Sequence, residues 1–456
     1  MKKQSNQQQV GAQLILIPKK RKEMSSAERV QLYQRRLYLK AKQEKNFRFY
    51  VLYDKIFLHY VLEESWKRVK ANGGSAGIDG VTIEMIEESG VESFLKTLSE
   101  ELRRQTYQAS AVKRVWIPKA NGEQRPLGIP TIKDRVAQMA CMLVIEPIFE
   151  ADFEEHSYGF RPKRSAHDAI AKIKEHLKGD KTEVYDADLS KYFDTIPHDK
   201  LKIALKERIK DQRVLKLITK WLKAAVYDDG QLTGGKKNKV GTPQGGVISP
   251  LLSNLYLHLL DRIVNSSTSI FKKLSIVMVR YADDFVLMGK TLKEAALKKL
   301  RDLLNRMGLR LNEEKSKQIN AKETPFNFLG FVFRYDQSFK HPGKEKFWNV
   351  KPNEKSNKKI REKIRTVLQT MGHCKAEILV ERLNATIRGW INYFEIKEIS
   401  YPYVAKRKLN DYLRMRIKKY FNRKSQRKSR LYGKKSFEIL VEKFGLIDPM
   451  KYSPAT

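Results

Sequence analysis

The chain has 456 residues, 41% of them hydrophobic, which is enough for roughly two to four folded domains and excludes a disordered polymer. Its 91 Lys and Arg outnumber 52 Asp and Glu, and the net charge of +39 favours a polyanionic partner, nucleic acid first. A membrane partner is disfavoured because no apolar run reaches the roughly 18 residues of a spanning helix.

The N-terminus and the cysteines indicate the compartment. The N-terminus is polar, and its apolar run Leu14–Ile17 ends at Pro18, too early for the core of a signal peptide. Cys141 and Cys374 are far apart and lack CxxC companions, which argues against a disulfide framework and against a cysteine-based zinc site. We therefore expect a cytoplasmic protein.

The charge is unevenly distributed and divides the chain into three regions. Residues 1–60 hold 14 Lys and Arg against 4 Asp and Glu, and residues 336–456 hold 30 against 12, so most of the surplus lies at the two ends. We expect a basic N-terminal helical extension over residues 1–60, a less basic body over residues 61–335 and a basic helical domain over residues 336–456.

The first predicted element is a helix that begins at the capping box Ser25-Ser26-Ala27-Glu28. Packing on the body and contact with RNA are equally consistent with its basic sequence. Val112–Ile117 and Arg125–Ile129 predict the two strands of a hairpin, because Asn121-Gly122 between them is a strong turn signal.

The middle of the chain mixes strands with helices. Val184–Leu189 is predicted to be a strand, and Leu274–Leu287 to be two strands joined at Ala282-Asp283-Asp284. Helices are predicted over Lys200–Leu222 and Leu251–Val264. Because the strands and helices do not alternate strictly, the fold class is predicted to be α+β.

The last region is predicted to be mostly helical. An apolar stripe, typical of a helix that packs on its neighbours, comprises Leu379, Leu383, Ile387, Trp390 and Phe394. Basic residues surround this stripe and are candidates for contact with RNA. The candidates include Arg382, Arg388, Arg414 and Arg416.

Two adjacent carboxylates lie between two apolar strands in Tyr281-Ala282-Asp283-Asp284. An ordinary Asp-rich turn is the simpler interpretation, but like charges side by side repel each other. A bound cation would offset that repulsion, and Mg²⁺ prefers a few carboxylates together with water and phosphate oxygens.

A site for two metal ions needs a further carboxylate from elsewhere in the chain. Asp186 and Asp188 lie in the predicted strand Val184–Leu189 and share one face of it, because side chains alternate along a strand. Carboxyl groups in a short apolar strand are costly unless they are paired or bound to metal. Either residue could complete the site on these grounds alone.

The motifs of the chain, taken in order, resemble those of the reverse transcriptases encoded by bacterial group II introns. The resemblance extends from about Tyr60 to Gly445. Its motifs are Ile117-Pro118-Lys119, Arg125-Pro126-Leu127-Gly128-Ile129-Pro130, Ser157-Tyr158-Gly159-Phe160-Arg161-Pro162, Asp186-Ala187-Asp188-Leu189-Ser190-Lys191-Tyr192-Phe193-Asp194, Gly241-Thr242-Pro243-Gln244-Gly245-Gly246-Val247-Ile248-Ser249-Pro250-Leu251-Leu252, Tyr281-Ala282-Asp283-Asp284, Leu311-Asn312-Glu313-Glu314-Lys315-Ser316, Phe328-Leu329-Gly330-Phe331 and Arg388-Gly389-Trp390-Ile391-Asn392-Tyr393-Phe394. A lone Tyr-Ala-Asp-Asp would be weak evidence, but nine ordered motifs make a chance match implausible.

The resemblance implies a right-hand polymerase fold with fingers, a palm and a helical thumb, or maturase, region. It implies that Asp188, Asp283 and Asp284 are the catalytic carboxylates and bind two Mg²⁺ ions, with the backbone carbonyl of Leu189 as a further ligand. Asp188 is preferred to Asp186 because the family's first metal-binding Asp lies five residues before an aromatic residue that crowds the sugar, here Phe193.

The resemblance also assigns residues to the substrates. Contact with the incoming dNTP is implied for Lys119, Arg125, Phe193, Gln244 and Lys315, and a position on the template path for Phe160 and Arg161. In the family's position Phe193 would clash with a ribose 2′-hydroxyl and so favour deoxynucleotides. From the residues alone, Phe193 and Phe160 could belong to the core, and Lys119 and Arg125 to the solvated surface.

The implied function is DNA synthesis from dNTPs on group II intron RNA as template, with a DNA primer or target DNA, together with binding of the intron RNA as a splicing maturase. A reverse transcriptase domesticated for phage defence, repair or CRISPR adaptation is the alternative. Many relatives also carry an HNH-type nuclease with cysteine pairs. The segment after Phe394 has no spaced His and Cys set, so no such nuclease is expected.

Overall fold

The computed structural model describes residues 24–118, 122, 124–337, 346–371, 374–423, 429 and 431–454. Five helices precede the first strand: α1 (Ser26–Gln43), α2 (Tyr53–Ile56), α3 (His59–Asn72), α4 (Ile83–Ser89) and α5 (Val91–Arg103). The predicted capping box is confirmed, because the backbone N–H of Glu28 donates to Ser25 Oγ at 3.3 Å and that of Ser25 donates to the Glu28 carboxylate at 2.8 Å. Within the described residues, no helix is long and apolar enough to cross a membrane.

The first sheet, here called the fingers sheet, has four strands in the order β2-β1-β4-β5. They are β1 (Val112–Pro118), β2 (Gln124–Ile129), β4 (Ala225–Asp228) and β5 (Gln231–Gly234), and a 3₁₀ turn follows at Gly235–Lys237. The predicted hairpin is confirmed, since β1 and β2 pair antiparallel with Ile117 opposite Arg125. Lys119 and Asn121 lie outside the described residues.

The second sheet, here called the palm sheet, has the order β6-β7-β3-β8 with every neighbouring pair antiparallel. Its strands are β3 (Glu183–Ala187), β6 (Val277–Tyr281), β7 (Asp284–Gly289) and β8 (Lys317–Asn320). Tyr185 and Leu287 on one face join the core built with the N-terminal helices. Val184 and Val286 on the other face join a core that continues into the C-terminal region. With both faces covered, the central strand β7 is buried except at its first residue, Asp284.

Further helices lie between Ile132 and Met307. They are α6 (Ile132–Glu150), α7 (Ala166–Lys178), α8 (Tyr192–Thr195), α9 (His198–Lys206), α10 (Gln212–Leu222), α11 (Ser249–Asn265), α12 (Ile270–Lys273) and α13 (Glu294–Met307). The N-terminal helices α1 and α3 pack against α6.

The prediction of a single helix over Lys200–Leu222 is wrong, because the helical structure is interrupted between α9 and α10. Asp211 caps α10 by accepting a hydrogen bond from the backbone N–H of Arg213 at 3.0 Å. Its carboxylate also accepts from the backbone N–H groups of Leu52 and Tyr53, each at 2.9 Å. The break is therefore a tertiary anchor for the N-terminal helices, which the local helical pattern could not reveal.

The C-terminal region begins with a three-stranded sheet and continues as helices, and its part from residue 336 onward is here called the thumb. The elements of the C-terminal region are β9 (Phe326–Phe328), β10 (Phe331–Asp336), β11 (Phe347–Pro352), α14 (Glu354–Thr370), α15 (Ala376–Phe394), α16 (Tyr403–Phe421) and α17 (Ser436–Phe444). The predicted apolar stripe lies on α15, and all five of its members are buried. The stripe is therefore the packing face of the thumb.

We predict that Leu383→Ala lowers the free energy of unfolding by about 2–5 kcal/mol, because it opens a cavity at a fully buried position. Ile378→Ala is the matched control on the same helix, since Ile378 is 45% exposed, and it should change stability by at most about 0.5 kcal/mol. Chemical denaturation of both variants measures the difference. Equal losses would contradict the assignment of the packing face.

Candidate active site

The carboxylates singled out in the sequence meet at one end of the palm sheet. In the ladder between β3 and β7, Asp186 lies opposite Val286 and Ala187 lies opposite Phe285. Asp188 and Asp284 directly adjoin this last pair, and the charge of Asp188 acts on the Asp284 carboxyl group. Asp283 follows in the turn that joins β6 to β7.

The turn at the tip of the β6–β7 hairpin has a constrained backbone. Ala282 has φ 57°, in the left-handed region that few non-glycine residues adopt. The Ser157-Tyr158-Gly159 segment lies alongside, with the Tyr158 N–H donating to the Arg280 carbonyl at 2.8 Å. A Cβ at Gly159 would collide with the backbone nitrogen of Ala282, so glycine is required for this close approach.

Arg280 is a functional residue that the sequence analysis missed. Its side chain is fully buried and forms an ion pair with fully buried Asp261, with Nε donating to Oδ1 at 2.9 Å. Its Nη1 donates to Asn254 Oδ1 and to the Ala282 carbonyl, both at 2.9 Å. The guanidinium thus holds the turn that carries Asp283. An arginine within an otherwise apolar strand, Val277-Met278-Val279-Arg280, was the available signal.

The carboxylates influence one another electrostatically. Asp284 is exposed, but the protein around its carboxyl partly desolvates it and the charges of Asp283, Asp188 and Asp186 add to the effect, raising its pKa to about 7. Desolvation and the charge of Asp188 raise the pKa of Asp186 to about 6. Desolvation also raises the pKa of Asp283, with Arg125 acting in the opposite direction. Four acidic groups are therefore close enough to repel one another.

This donor set fits a divalent metal ion. In the part of the chain that the structure describes, no three acidic, His or Cys side chains are already arranged as a ligand cluster. Mg²⁺ commonly takes only one or two protein carboxylates and completes its shell with water and substrate phosphates, so a preformed cluster is not required. The raised pKa values reflect desolvation and the mutual repulsion of the carboxylates, and a bound cation would relieve that repulsion.

Lys315 and Leu189 lie beside Asp188. The Lys315 ammonium is 3.6 Å from Asp188 Oδ2, and its side chain is 60% exposed. Leu189 forms an isolated antiparallel bridge with Leu311, and the Asn312 N–H donates to the Asp188 carbonyl at 2.8 Å. The Leu311–Ser316 motif therefore packs directly against the end of β3.

The fingers sheet brings Arg125 and Gln244 together, with Arg125 Nε donating to Gln244 Oε1 at 2.9 Å. The Gly128 N–H donates to the Gln244 carbonyl at 2.5 Å. Gly245 has φ 111°, and a Cβ there would collide with the Gly128 carbonyl oxygen, so the loop needs glycine at this position. Lys119, the other predicted phosphate ligand, lies outside the described residues.

Phe193 is half-buried and next to this loop. The Thr242 N–H donates to the Phe193 carbonyl at 2.7 Å. The ring meets that of Tyr192 edge-on, with 5.5 Å between the centroids. Tyr192 is buried and donates its hydroxyl to the Ser253 carbonyl at 2.7 Å. Tyr192 therefore supplies the core aromatic, whereas Phe193 keeps part of its ring accessible.

The two residues predicted to line the template path differ in their surroundings. Phe160 is 52% exposed and has φ 55°. Arg161 is buried, with an ion pair to Glu150 at 2.7 Å and a hydrogen bond to the Ser157 carbonyl at 2.6 Å. Arg161 therefore stabilises the loop that displays Phe160.

The four predicted RNA-binding arginines of the thumb are not equivalent. Arg382 and Arg388 lie on the exposed side of α15. Arg414 is exposed but ion-paired with Glu438, and its guanidinium lies 4.3 Å from the centroid of the Phe437 ring. Arg416 is half-buried, and its Nε is buried without a hydrogen-bond partner among the described residues.

Comparison with known proteins gives two family matches. The model "Reverse transcriptase (RNA-dependent DNA polymerase)" matches residues 117–333, and "Group II intron, maturase-specific domain" matches residues 357–435. Protein YkfC of Escherichia coli is 37% identical over 313 residues, which are 61% of this chain and 80% of YkfC. Group II intron-encoded protein LtrA of Lactococcus lactis is 33% identical over 318 residues, 56% of this chain and 52% of LtrA. The chain thus spans about half the length of LtrA.

Among solved structures, a chain of the partial Cas6-RT-Cas1–Cas2 complex is 21% identical and superposes with a TM-score of 0.36. The match covers 56% of this chain and 42% of that chain. Agreement at this level supports no argument about function.

We predict that Asp284→Asn stabilises the metal-free protein more at pH 8 than at pH 5. The raised pKa of Asp284, about 7, means that the folded state keeps a proton that the unfolded state, with a pKa of about 3.9, has lost at pH 5. Stability therefore falls as pH rises towards 8, and asparagine removes that loss.

Thermal unfolding of both proteins in chelator measures the effect, and added Mg²⁺ should stabilise the wild type more than the variant. Asp302→Asn, an exposed change on α13, is the control. If Asp284→Asn and Asp302→Asn share one pH dependence and one response to Mg²⁺, the electrostatic account of the site is wrong.

Proposed function

This chain belongs to the reverse transcriptase family that includes the proteins encoded by group II introns, and we propose that Asp188, Asp283 and Asp284 catalyse its RNA-directed DNA synthesis. The ladder between β3 and β7 supports the proposal, because its last pair, Ala187 and Phe285, directly adjoins Asp188 and Asp284, and Asp283 lies in the turn before β7. We propose residues 61–335 as fingers and palm and residues 336–456 as the thumb. Residues 1–60 are proposed to form a basic extension.

Reverse transcriptases use divalent metal ions, and we propose two Mg²⁺ ions held by the three carboxylates and the carbonyl of Leu189. Bound there, the ions would activate the primer 3′-hydroxyl and stabilise the charge of the leaving pyrophosphate. The palm sheet holds Asp188 and Asp284 at one of its ends, and Arg280 holds the turn of Asp283. Because positioning and charge neutralisation account for most of phosphoryl-transfer catalysis, a rigid support of this kind is what the reaction requires.

The surrounding residues are proposed to hold the incoming dNTP. Arg125 and Lys119 would contact the triphosphate from the fingers sheet, with Gln244 orienting the Arg125 guanidinium through their 2.9 Å hydrogen bond. Lys315 offsets the charge of Asp188 and lies close enough for a phosphate that approaches the metals. The accessible edge of Phe193 is proposed to meet the sugar, where a 2′-hydroxyl would clash.

The chain is also proposed to bind group II intron RNA as a splicing maturase. The match of residues 357–435 to the maturase-specific domain supports this role. Arg382 and Arg388 are exposed on α15, and Arg414 and Arg416 lie on α16, so the thumb offers several guanidinium groups for phosphate contacts. Phe160 is proposed to contact the template. A cytoplasmic location is proposed because both cysteines are free thiols.

We predict that Asp283→Asn abolishes primer extension but leaves RNA affinity nearly unchanged, because the carboxylate binds metal whereas Lys and Arg bind phosphate. Primer-extension and filter-binding assays on one preparation measure both properties. Asp302→Asn, the exposed control on α13, should extend primers at the wild-type rate. Extension by Asp283→Asn at that same rate would show that Asp283 does not bind the catalytic metal.

We predict that Phe193→Ala lowers discrimination against ribonucleotides, because removal of the ring makes room for a 2′-hydroxyl. The ratio of the kcat/KM values for single incorporation of dGTP and of GTP measures the discrimination. Phe160→Ala is the control, since its exposed ring is assigned to the template, and its ratio should stay at the wild-type value. An unchanged ratio in Phe193→Ala would make Phe193 a packing residue.

A further inference from the structure

A groove lies between α9 and α10, apart from the residues assigned to catalysis. Its volume is about 670 Å³, and its floor includes Leu215, Ala224 and Ala225. None of the residues assigned to metal, nucleotide or template binding lines it. A ligand in this groove would therefore be distinct from the dNTP and from the reacting ends of primer and template.

The groove is lined by five lysines, and no acidic residue lies among its lining residues. The lysines are Lys202, Lys206, Lys216, Lys220 and Lys223. None of them has a described carboxylate within ion-pair distance. By contrast, a cavity of about 790 Å³ beside α6 combines five basic residues with Asp152, Glu154, Glu155 and Glu207. The large positive charge of the first groove is thus uncompensated within the described chain.

The lysines are arranged by the helices that carry them. Lys202 and Lys206 are four residues apart on α9, and Lys216 and Lys220 are four apart on α10, so each pair lies on one helical face with a rise of about 6 Å. The opposite face of α10 is buried through Val214, which fixes the orientation of the helix.

Side-chain contacts and burial restrain part of this set. Lys220 donates to the Tyr107 carbonyl at 2.5 Å. Lys202 and Lys223 are partly buried, and their charges add to the desolvation that lowers the pKa of His198. The basic surface is therefore built into the fold.

We propose that this lysine groove binds the phosphate backbone of an RNA segment outside the polymerase cleft. A concave surface of one charge sign focuses its field and concentrates a polyanion, whereas isolated surface lysines do not. Lysine binds phosphate as a point charge without reading sequence, so the groove would hold RNA in place. The choice of RNA rests on the proposed reverse transcriptase and maturase function, which already brings a long RNA to this protein.

The test is the triple substitution Lys202→Gln, Lys206→Gln and Lys216→Gln in the full chain. Lys220 is kept because it donates a hydrogen bond to the Tyr107 carbonyl. Each phosphate contact contributes about 0.7 to 0.9 to the slope of log K against log salt, so three lost contacts should reduce that slope by about 2 to 3. The probe is a long structured RNA that carries a template–primer end. A short template–primer that spans only the proposed cleft should keep its affinity and its rate of extension.

The matched control is Lys272→Gln, Lys298→Gln and Lys299→Gln, which removes three exposed lysines elsewhere on the palm. The control should retain the wild-type slope on the long RNA. An unchanged slope in the groove variant, an equal loss in the control, or an equal loss on the short template–primer would each overturn the proposal. RNA binding is measured without catalysis, so a wild-type protein that fails to extend primers would refute the proposed function while leaving this test intact.

Discussion

Mutual repulsion of carboxylates at the end of the palm sheet is the constraint on which the rest of the structure depends. Asp186, Asp188, Asp283 and Asp284 lie near one another, and desolvation together with the charges of the other three raises the pKa of Asp284 to about 7. A flexible hairpin would relieve this repulsion by moving apart. The charges stay together because the ladder between β3 and β7 is covered on both faces, which leaves the backbone no freedom to separate.

The buried Arg280 cluster provides the second part of that restraint. Arg280 contacts Asp261 and Asn254 on α11 and the Ala282 carbonyl in the turn, while Asn254 donates to the Gly159 carbonyl at 2.7 Å. Burial alone would raise the pKa of Asp261, but Arg280 and His156 hold it well below the usual range. A charged pair in the core is costly unless its hydrogen bonds are satisfied, and here they connect the turn that carries Asp283 to the loop that displays Phe160.

The net charge of +39 overstates how much of the basic surface can meet RNA. Several basic side chains are buried and bind the protein's own carbonyls or carboxylates, among them Arg161, Lys174, Arg208 and Lys406. Lys174, for example, joins α7 to the thumb by donating to the Ile399 carbonyl at 2.7 Å. The residues available to a polyanion are those left without such partners among the described residues. The lysine groove gathers four of them along one surface, namely Lys202, Lys206, Lys216 and Lys223.

The sequence by itself determined the family, the α+β class, the paired strands around Asp283 and Asp284, and the packing stripe of α15. These features depend on local periodicity and on ordered motifs, which can be recognised in the sequence alone. Tertiary structure decided what depends on contacts between distant segments. The helix predicted over Lys200–Leu222 is interrupted before Asp211, whose carboxylate accepts hydrogen bonds from the backbone N–H groups of Leu52 and Tyr53. Tertiary structure also buried Arg161 and left Phe160 exposed, because the Glu150 carboxylate and the Ser157 carbonyl accept hydrogen bonds from the Arg161 guanidinium.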